Sequence, residues 1–314
     1  MFRGVPQGSI LGPLLFTIMV NDLPRVTTKS QTMMYADDTV LLYSSKHIED
    51  IELTLNNDLA HVNNWVNTNS LSLNPSKTQF MIFGTPQKLA NNPKSVCLKL
   101  QDHPLLQVNT YKYLGVYLDP ALNWKDHIYR TSKKIGSRLG LLSRLKRSLP
   151  LNTVKLLANA LALPLFDYCS VAWSKCPNTT KDILVRQHKR MARIVLGVDT
   201  QTSTDFVLNQ LNWTTIEDRW KHLRCKLVYR SLNGQAPEYL THLFNKSSSV
   251  HNYRTRTAVS DGLIVPRART NAGKQAFSHC GAIEWNQLPV NIRNASSKQA
   301  FSANFWRTLR LHSD

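Results

Sequence analysis

Acidic residues are scarce in this sequence. Twenty Asp and Glu stand against 39 Lys and Arg in 314 residues, a formal net charge of +19. Cysteine is also sparse. The five that occur (Cys97, Cys169, Cys176, Cys225, Cys280) form no Cys-x-x-Cys pair and no Cys/His set with zinc-finger spacing. This argues against a zinc module or a disulfide framework and for reduced thiols, as in a cytoplasmic or nuclear protein. Long apolar runs are missing too. The stretch from Ile10 to Val20, broken by Gly12 and Pro13, is too short to span a bilayer. No small-residue cleavage site follows it, so neither export nor membrane insertion is expected. No repeat of fixed period is visible.

The imbalance lies in one part only. Residues 1–119 hold nine Lys/Arg and nine Asp/Glu, which cancel; residues 120–314 hold thirty and eleven, the whole +19. A neutral part joined to a strongly basic one points to a polyanion partner for the latter. A merely solvated basic surface is the alternative. With 42% hydrophobic residues the chain has material for real cores, and its length suits two or three domains.

Periodicity supplies the elements. Met1 to Pro24 reads as a loop and a short apolar helix, with Pro13 in the first turn where no N–H is needed. Gln31 to Ser44 reads as two strands around Asp37-Asp38. Lys46 to Thr68 is an amphipathic helix with Ile48, Ile51, Leu55, Leu59, Val62 and Val66 at helical spacing. Strands fit Gln79–Phe83, Val96–Leu100 and Tyr113–Leu118. Beyond Asp119-Pro120, helices fit 125–147, Thr153–Leu163, Lys181–Leu196 (closed by Gly197) and Ile216–Leu232 (opened by Thr215-x-x-Asp218). From Pro237 the pattern weakens to an irregular module with a final helix.

Tyr35-Ala36-Asp37-Asp38 is the sharpest local feature. Two adjacent acids between apolar strands suit a two-residue hairpin turn, whose backbone angles Asp tolerates. Neighbouring carboxylates repel each other unless a cation sits beside them. Mg²⁺ is the natural cation for such hard oxygens, and two such ions can activate a 3′-hydroxyl and neutralise pyrophosphate. A metal-free surface turn is the alternative. Gly4-Val5-Pro6-Gln7-Gly8-Ser9 offers close backbone approach through its glycines, and both a donor and an acceptor on Gln7; an ordinary loop is the plain reading. Lys77, in Leu73-Asn74-Pro75-Ser76-Lys77-Thr78, stands just before a strand, within reach of a triphosphate or simply in solvent. Gly115, in Tyr113-Leu114-Gly115, marks either a close approach inside a strand or a plain edge.

In order and spacing these four segments resemble successive palm motifs of reverse transcriptases, most of all those of jockey-like non-LTR retrotransposons. Ala162 to Tyr168 and Trp285-Asn286-Gln287-Leu288-Pro289 also look like that family's C-terminal region. The resemblance implies an α+β chain. Residues 1–119 would be a partial polymerase palm, an antiparallel sheet with packed helices. Residues 120–200 would be a basic helical thumb, and 201–314 a small C-terminal module. It implies RNA-directed DNA polymerisation on an RNA template with a DNA primer and deoxynucleoside triphosphates. Asp37 and Asp38 would bind Mg²⁺, or Mn²⁺ in its place. Lys77 would assist at the triphosphate. Gln7, Gly8, Tyr35 and Ala36 would contact nucleotide and template, and Tyr113, Leu114 and Gly115 the primer. The family pattern begins before Gly4, with fingers and a strand bearing a further metal-binding aspartate. The expectation is therefore an N-terminally truncated fragment, inactive when isolated, for which a second chain would supply the missing palm and fingers. Asp22 is a weak substitute ligand whose plainer role is to end a helix. The competing expectation is a non-catalytic nucleic-acid-binding remnant. An RNA-dependent RNA polymerase or an intron maturase fits the C-terminal segments less well.

Overall fold

The computed structural model describes residues 8–91, 96–247 and 262–311. The chain divides into two compact units, Met1–Tyr111 and Lys112–Asp314.

In the first unit, α1 (Gly12–Val20) has Pro13 in its first turn, and a 3₁₀ turn at Leu23–Arg25 follows. Strands β1 (Gln31–Tyr35) and β2 (Asp38–Leu42) form an antiparallel hairpin. Helix α2 (Ile48–Thr68) is the spine of the unit. Its Val62 and Val66 pack with Leu23, Met34 and Leu41, while Ile48, Leu55 and Leu59 pack under Val96, Leu98, Leu100 and Leu105. One helix therefore serves two small cores. The remaining elements are short: β3 (Gln79–Phe80), α3 (Pro86–Ala90), β4 (Lys99–Leu100), β5 (His103–Pro104) and β6 (Leu106–Gln107). The expected antiparallel sheet is thus a set of separate two-stranded pairs, of which β3–β6 is parallel.

Asp58 ties α2 to the loop before β1. It is fully buried, and its carboxylate accepts from the Thr28 and Ser30 amides (2.8 Å each), the Lys29 amide (3.3 Å) and the Thr28 hydroxyl (2.8 Å). Burial alone would raise its pKa; the backbone and hydroxyl donors outweigh that and hold it well below the usual carboxylate range.

A short pair, β7 (Tyr111–Tyr113) and β8 (Val116–Leu118), leads into the second unit. This corrects the single strand expected over Tyr113–Leu118. Leu114 (φ +44°) and Gly115 (φ +84°) are consecutive left-handed residues, and they reverse the chain. Asp119 then accepts from the amides of Ala121, Asn123 and Trp124. Helices α4 (Lys125–Leu145), α5 (Leu151–Leu161), α6 (Leu163–Asp167), α7 (Ser170–Trp173), α8 (Asn178–Leu196) and α9 (Thr204–Leu211) follow. They surround a core of Ile128, Ile135, Leu139, Leu142, Phe166, Trp173, Leu184 and Met191, all fully buried. Helix α10 (Ile216–Leu232) starts where Thr215 accepts from the Asp218 amide at 3.1 Å. Beyond it come α11 (Glu238–Thr241), α12 (Asn271–Gln275), α13 (Phe277–Asn286), α14 (Val290–Arg293) and α15 (Lys298–Leu311). They build a second core on Val228, Tyr229, Ala282, Trp285, Ile292, Phe301 and Phe305.

Helix α10 belongs to both cores. Its first turns contribute Ile216 and Trp220 to one, and its later turns Cys225 and Val228 to the other. Between them, buried Arg224 grips buried Glu284 of α13 through two bonds of 2.7 and 2.8 Å and also donates to Ser174. Lys175 adds a second cation at 2.7 Å. Breaking such a pair leaves a charge without its counter-ion, which costs several kcal/mol. Arg224→Ala is expected to destabilise the helical unit by about 3 kcal/mol in urea titration, whereas a loss under about 1 kcal/mol would show the pair to be incidental.

Three histidines are buried against aromatics in this unit: His127 on Trp173, His188 between Phe166 and Trp213, and His222 on Trp306. Burial, reinforced by nearby Lys134, Arg219 and Lys226, lowers each from the ordinary 6.5 to about 4. The fold holds them neutral, so their stabilising contribution is complete above 6.5 and lost as pH falls toward 4. The melting temperature is expected to drop steadily between pH 7 and pH 5, above the range in which the carboxylates titrate. A flat profile there would contradict the assignment.

Candidate functional site

The two acids sit at the end of the β1–β2 hairpin. Tyr35 pairs with Asp38, so Ala36 and Asp37 alone form the loop and Asp38 opens β2. The left-handed position falls on Ala36 (φ +51°), not on an aspartate as the sequence reading expected. Register sorts the faces. Met34 and Leu41 point into the core with Val62 and Val66, whereas Met33, Tyr35, Asp38, Val40 and Leu42 share the other face. On that face Met33, Tyr35 and Leu42 are 46%, 64% and 43% exposed. The arrangement is therefore an open apolar sheet face with one carboxylate at its rim and a second on the adjoining loop, both exposed.

Such a pair fits Mg²⁺, which commonly takes one or two carboxylates and completes its shell with water and substrate phosphates. Among the described residues no group of three or more His, Cys, Asp or Glu could hold a metal. Asp22 does not join the pair; it accepts from the Trp65 indole at 3.3 Å, next to the end of α1. Lys77 is exposed in the turn before β3, and its amide donates to the Asn74 carbonyl at 3.1 Å. Gly8 has φ +85° and open space around it, while Gln7 lies outside the described residues.

Tyr113, Leu114 and Gly115 lie in the second unit. There the Tyr168 hydroxyl donates to the Leu114 carbonyl at 2.5 Å, and a Cβ on Gly115 would come within 3.2 Å of the Tyr168 ring. The close approach that Gly115 signalled is made by a side chain, and it joins two segments singled out in the sequence 54 residues apart. Asp167, beside Tyr168, accepts from Arg219 at 2.7 and 2.6 Å, so this segment is anchored to α10.

Residues 1–118 match the family model for reverse transcriptase (RNA-dependent DNA polymerase). This segment belongs to the reverse transcriptase family. The chain is 28% identical over 245 residues to the probable RNA-directed DNA polymerase from transposon X-element of Drosophila melanogaster, covering 75% of this chain and 25% of that protein. It is 30% identical over 205 residues to the RNA-directed DNA polymerase from mobile element jockey of Drosophila funebris, covering 61% and 22%. A type-1 retrotransposable element R1 polyprotein of Nasonia vitripennis is 24% identical over 176 residues, covering 54% and 43%. The chain thus spans about a quarter of the first two relatives. No solved structure matches. Both the X-element and jockey alignments are longer than the 118 residues of the family match, so similarity to those two proteins continues beyond that segment into the helical unit.

Sequence reasoning missed what anchors the site. Asp58 reads as one more polar residue on a helix, and Tyr168 gave no sign that it reaches Leu114. Within the β1–β2 hairpin Ala36 carries the backbone strain, since a non-glycine residue in the left-handed region costs about 1–2 kcal/mol. Ala36→Val is therefore expected to lower the stability of the first unit by about 1–2 kcal/mol, and Ala36→Gly to leave it equal or higher. Equal losses from both would place the strain elsewhere.

Proposed function

We propose that the chain is part of an RNA-directed DNA polymerase of a non-LTR retrotransposon, with the β1–β2 hairpin as one edge of its nucleotidyl-transfer centre. The observation that carries this reading is the placement of Asp37 and Asp38 on a two-residue loop and its rim, within the reverse transcriptase match. Two bound Mg²⁺ ions, or Mn²⁺ in their place, would activate the primer 3′-hydroxyl and stabilise the departing pyrophosphate.

The chain's own residues have the remaining tasks. Asp37 is the primary ligand and Asp38 the weaker one beside it. The exposed Tyr35 and Met33 face gives a flat surface on which a base or sugar can lie. Lys77 meets the triphosphate. Gln7 and Gly8 hold template and incoming nucleotide. The Tyr113-Leu114-Gly115 turn, braced by Tyr168, supports the primer end. Residues 1–119 act as a partial palm, 120–200 as a basic thumb along the RNA–DNA duplex, and 201–314 as an attached module.

A two-metal centre draws carboxylates from more than one strand, and among the described residues no third His, Cys, Asp or Glu gathers with this pair. The isolated chain is therefore proposed to hold nucleic acid without extending a primer, a second chain supplying the rest of the centre. That same observation favours the second reading, a nucleic-acid-binding remnant with no catalytic role at all.

Primer extension on an RNA template, with Mg²⁺ and with Mn²⁺, tests both. No extension is expected from the chain alone, together with metal-dependent deoxynucleotide binding that disappears in Asp37→Asn/Asp38→Asn. Extension that the double variant abolishes would show the centre to be complete. Deoxynucleotide binding indifferent to both aspartates would remove them from the site and leave the second reading.

A further inference from the structure

The excess of basic residues lies beyond residue 119, and in the helical unit some of them converge. Helices α4 and α8 lie side by side with Ser132 near Gln187 and Lys146 near Gly197, so they run parallel. Their C-terminal halves and the loop after α8 enclose a cleft of about 510 Å³, lined by Ser143, Lys146, Arg186, Arg190, Arg193 and Asp199 among others. Four cations meet one carboxylate there.

Local geometry concentrates that charge. Arg193 donates to the Thr202 carbonyl (3.3 and 3.0 Å) and to the Thr204 hydroxyl (3.1 Å), which fixes its guanidinium without an ion pair. Asp199 is engaged on one oxygen by the amides of Gln201 and Thr202 and by the Thr202 hydroxyl, at 2.9–3.0 Å. Gly197 ends α8 at φ +85°, and a Cβ there would lie 1.7 Å from the Lys146 ammonium. With no Cβ at Gly197, Lys146 lies across the end of α8, where terminal carbonyls attract a cation. Arg186 and Arg190 stand one turn apart on the same face, both exposed.

We propose that this cleft binds the phosphodiester backbone of a nucleic acid, Arg186 and Arg190 each meeting a phosphate while Lys146 and Arg193 hold the floor positive. Arginine forks suit phosphate oxygens, and the size fits a phosphate with part of its sugar. The proposal rests on the reading that the chain handles nucleic acid, but not on Asp37 or Asp38.

The test is fluorescence anisotropy of the full chain with a labelled RNA–DNA hybrid across a salt series. Arg186→Gln/Arg190→Gln is compared with Arg269→Gln/Lys274→Gln, which removes equal charge from exposed sites outside the cleft and outside residues 120–200. Circular dichroism checks that both variants keep the fold. The cleft variant is expected to bind at least about tenfold more weakly and to flatten the salt slope by about 2, with the control within about threefold of the unsubstituted chain. Equal losses in both variants would overturn the site and leave diffuse charge, with the nucleic-acid reading intact. Absence of binding by the unsubstituted chain would sink both. Inorganic phosphate displacing the hybrid at low millimolar concentration would mark a free-phosphate site instead. Poly-glutamate competing as well as an oligonucleotide of equal charge would mark an acidic-protein site. Either result contradicts the proposal.

Discussion

The helical unit turns on the meeting of Arg224 and Glu284. Two apolar cores share helix α10, and at the point where one gives way to the other the helix carries a buried guanidinium held by a carboxylate from 60 residues further on. Lys175 and Ser174 complete the cluster, so α7, α10 and α13 are fixed to each other by charge as well as by packing. A neighbouring Arg219–Asp167 pair extends the same logic to α6, and through Tyr168 to the turn at Leu114. Neutral buried histidines fill the seams. A surface with so much excess positive charge repels itself. The cores and these pairs oppose that repulsion and keep the unit folded.

Charge also divides the work. The first unit has no net charge to contribute, and it carries Asp37 and Asp38 side by side at the end of one hairpin. The second unit carries no acid cluster among its described residues but presents basic helices and a positive cleft. A site for hard cations and a grip for phosphates are complementary needs of any enzyme that joins nucleotides, and the proposed function assigns them to different parts of the chain. The reverse transcriptase match ends at residue 118, beside the point where the charge changes.

Much of the local structure was legible. Helix α10 occupies the expected Ile216–Leu232 with its Thr215 cap, α2 follows its apolar spacing, and the Asp37-Asp38 turn is a hairpin end. These features are written in residues three or four apart, or in adjacent ones. What was not legible depends on partners far along the chain. Asp58 is buried because a loop 30 residues earlier offers four donors. Arg224 looks like one more exposed cation until Glu284 is placed against it. The strand expected at Tyr113–Leu118 became a hairpin because Leu114, which has no intrinsic liking for φ +44°, is held there beside Gly115 and by the Tyr168 hydroxyl. The α4–α8 cleft needs both helices in register, which no single segment encodes.

Asp37 and Asp38 are proposed to form a cation-binding edge, and paramagnetic broadening of backbone amide resonances by Mn²⁺ reads that edge residue by residue. Sub-stoichiometric Mn²⁺ is expected to broaden residues 35–40 before all others, and Asp37→Asn/Asp38→Asn to remove the effect. Broadening spread evenly over the chain's carboxylates, or unchanged in the double variant, would contradict it.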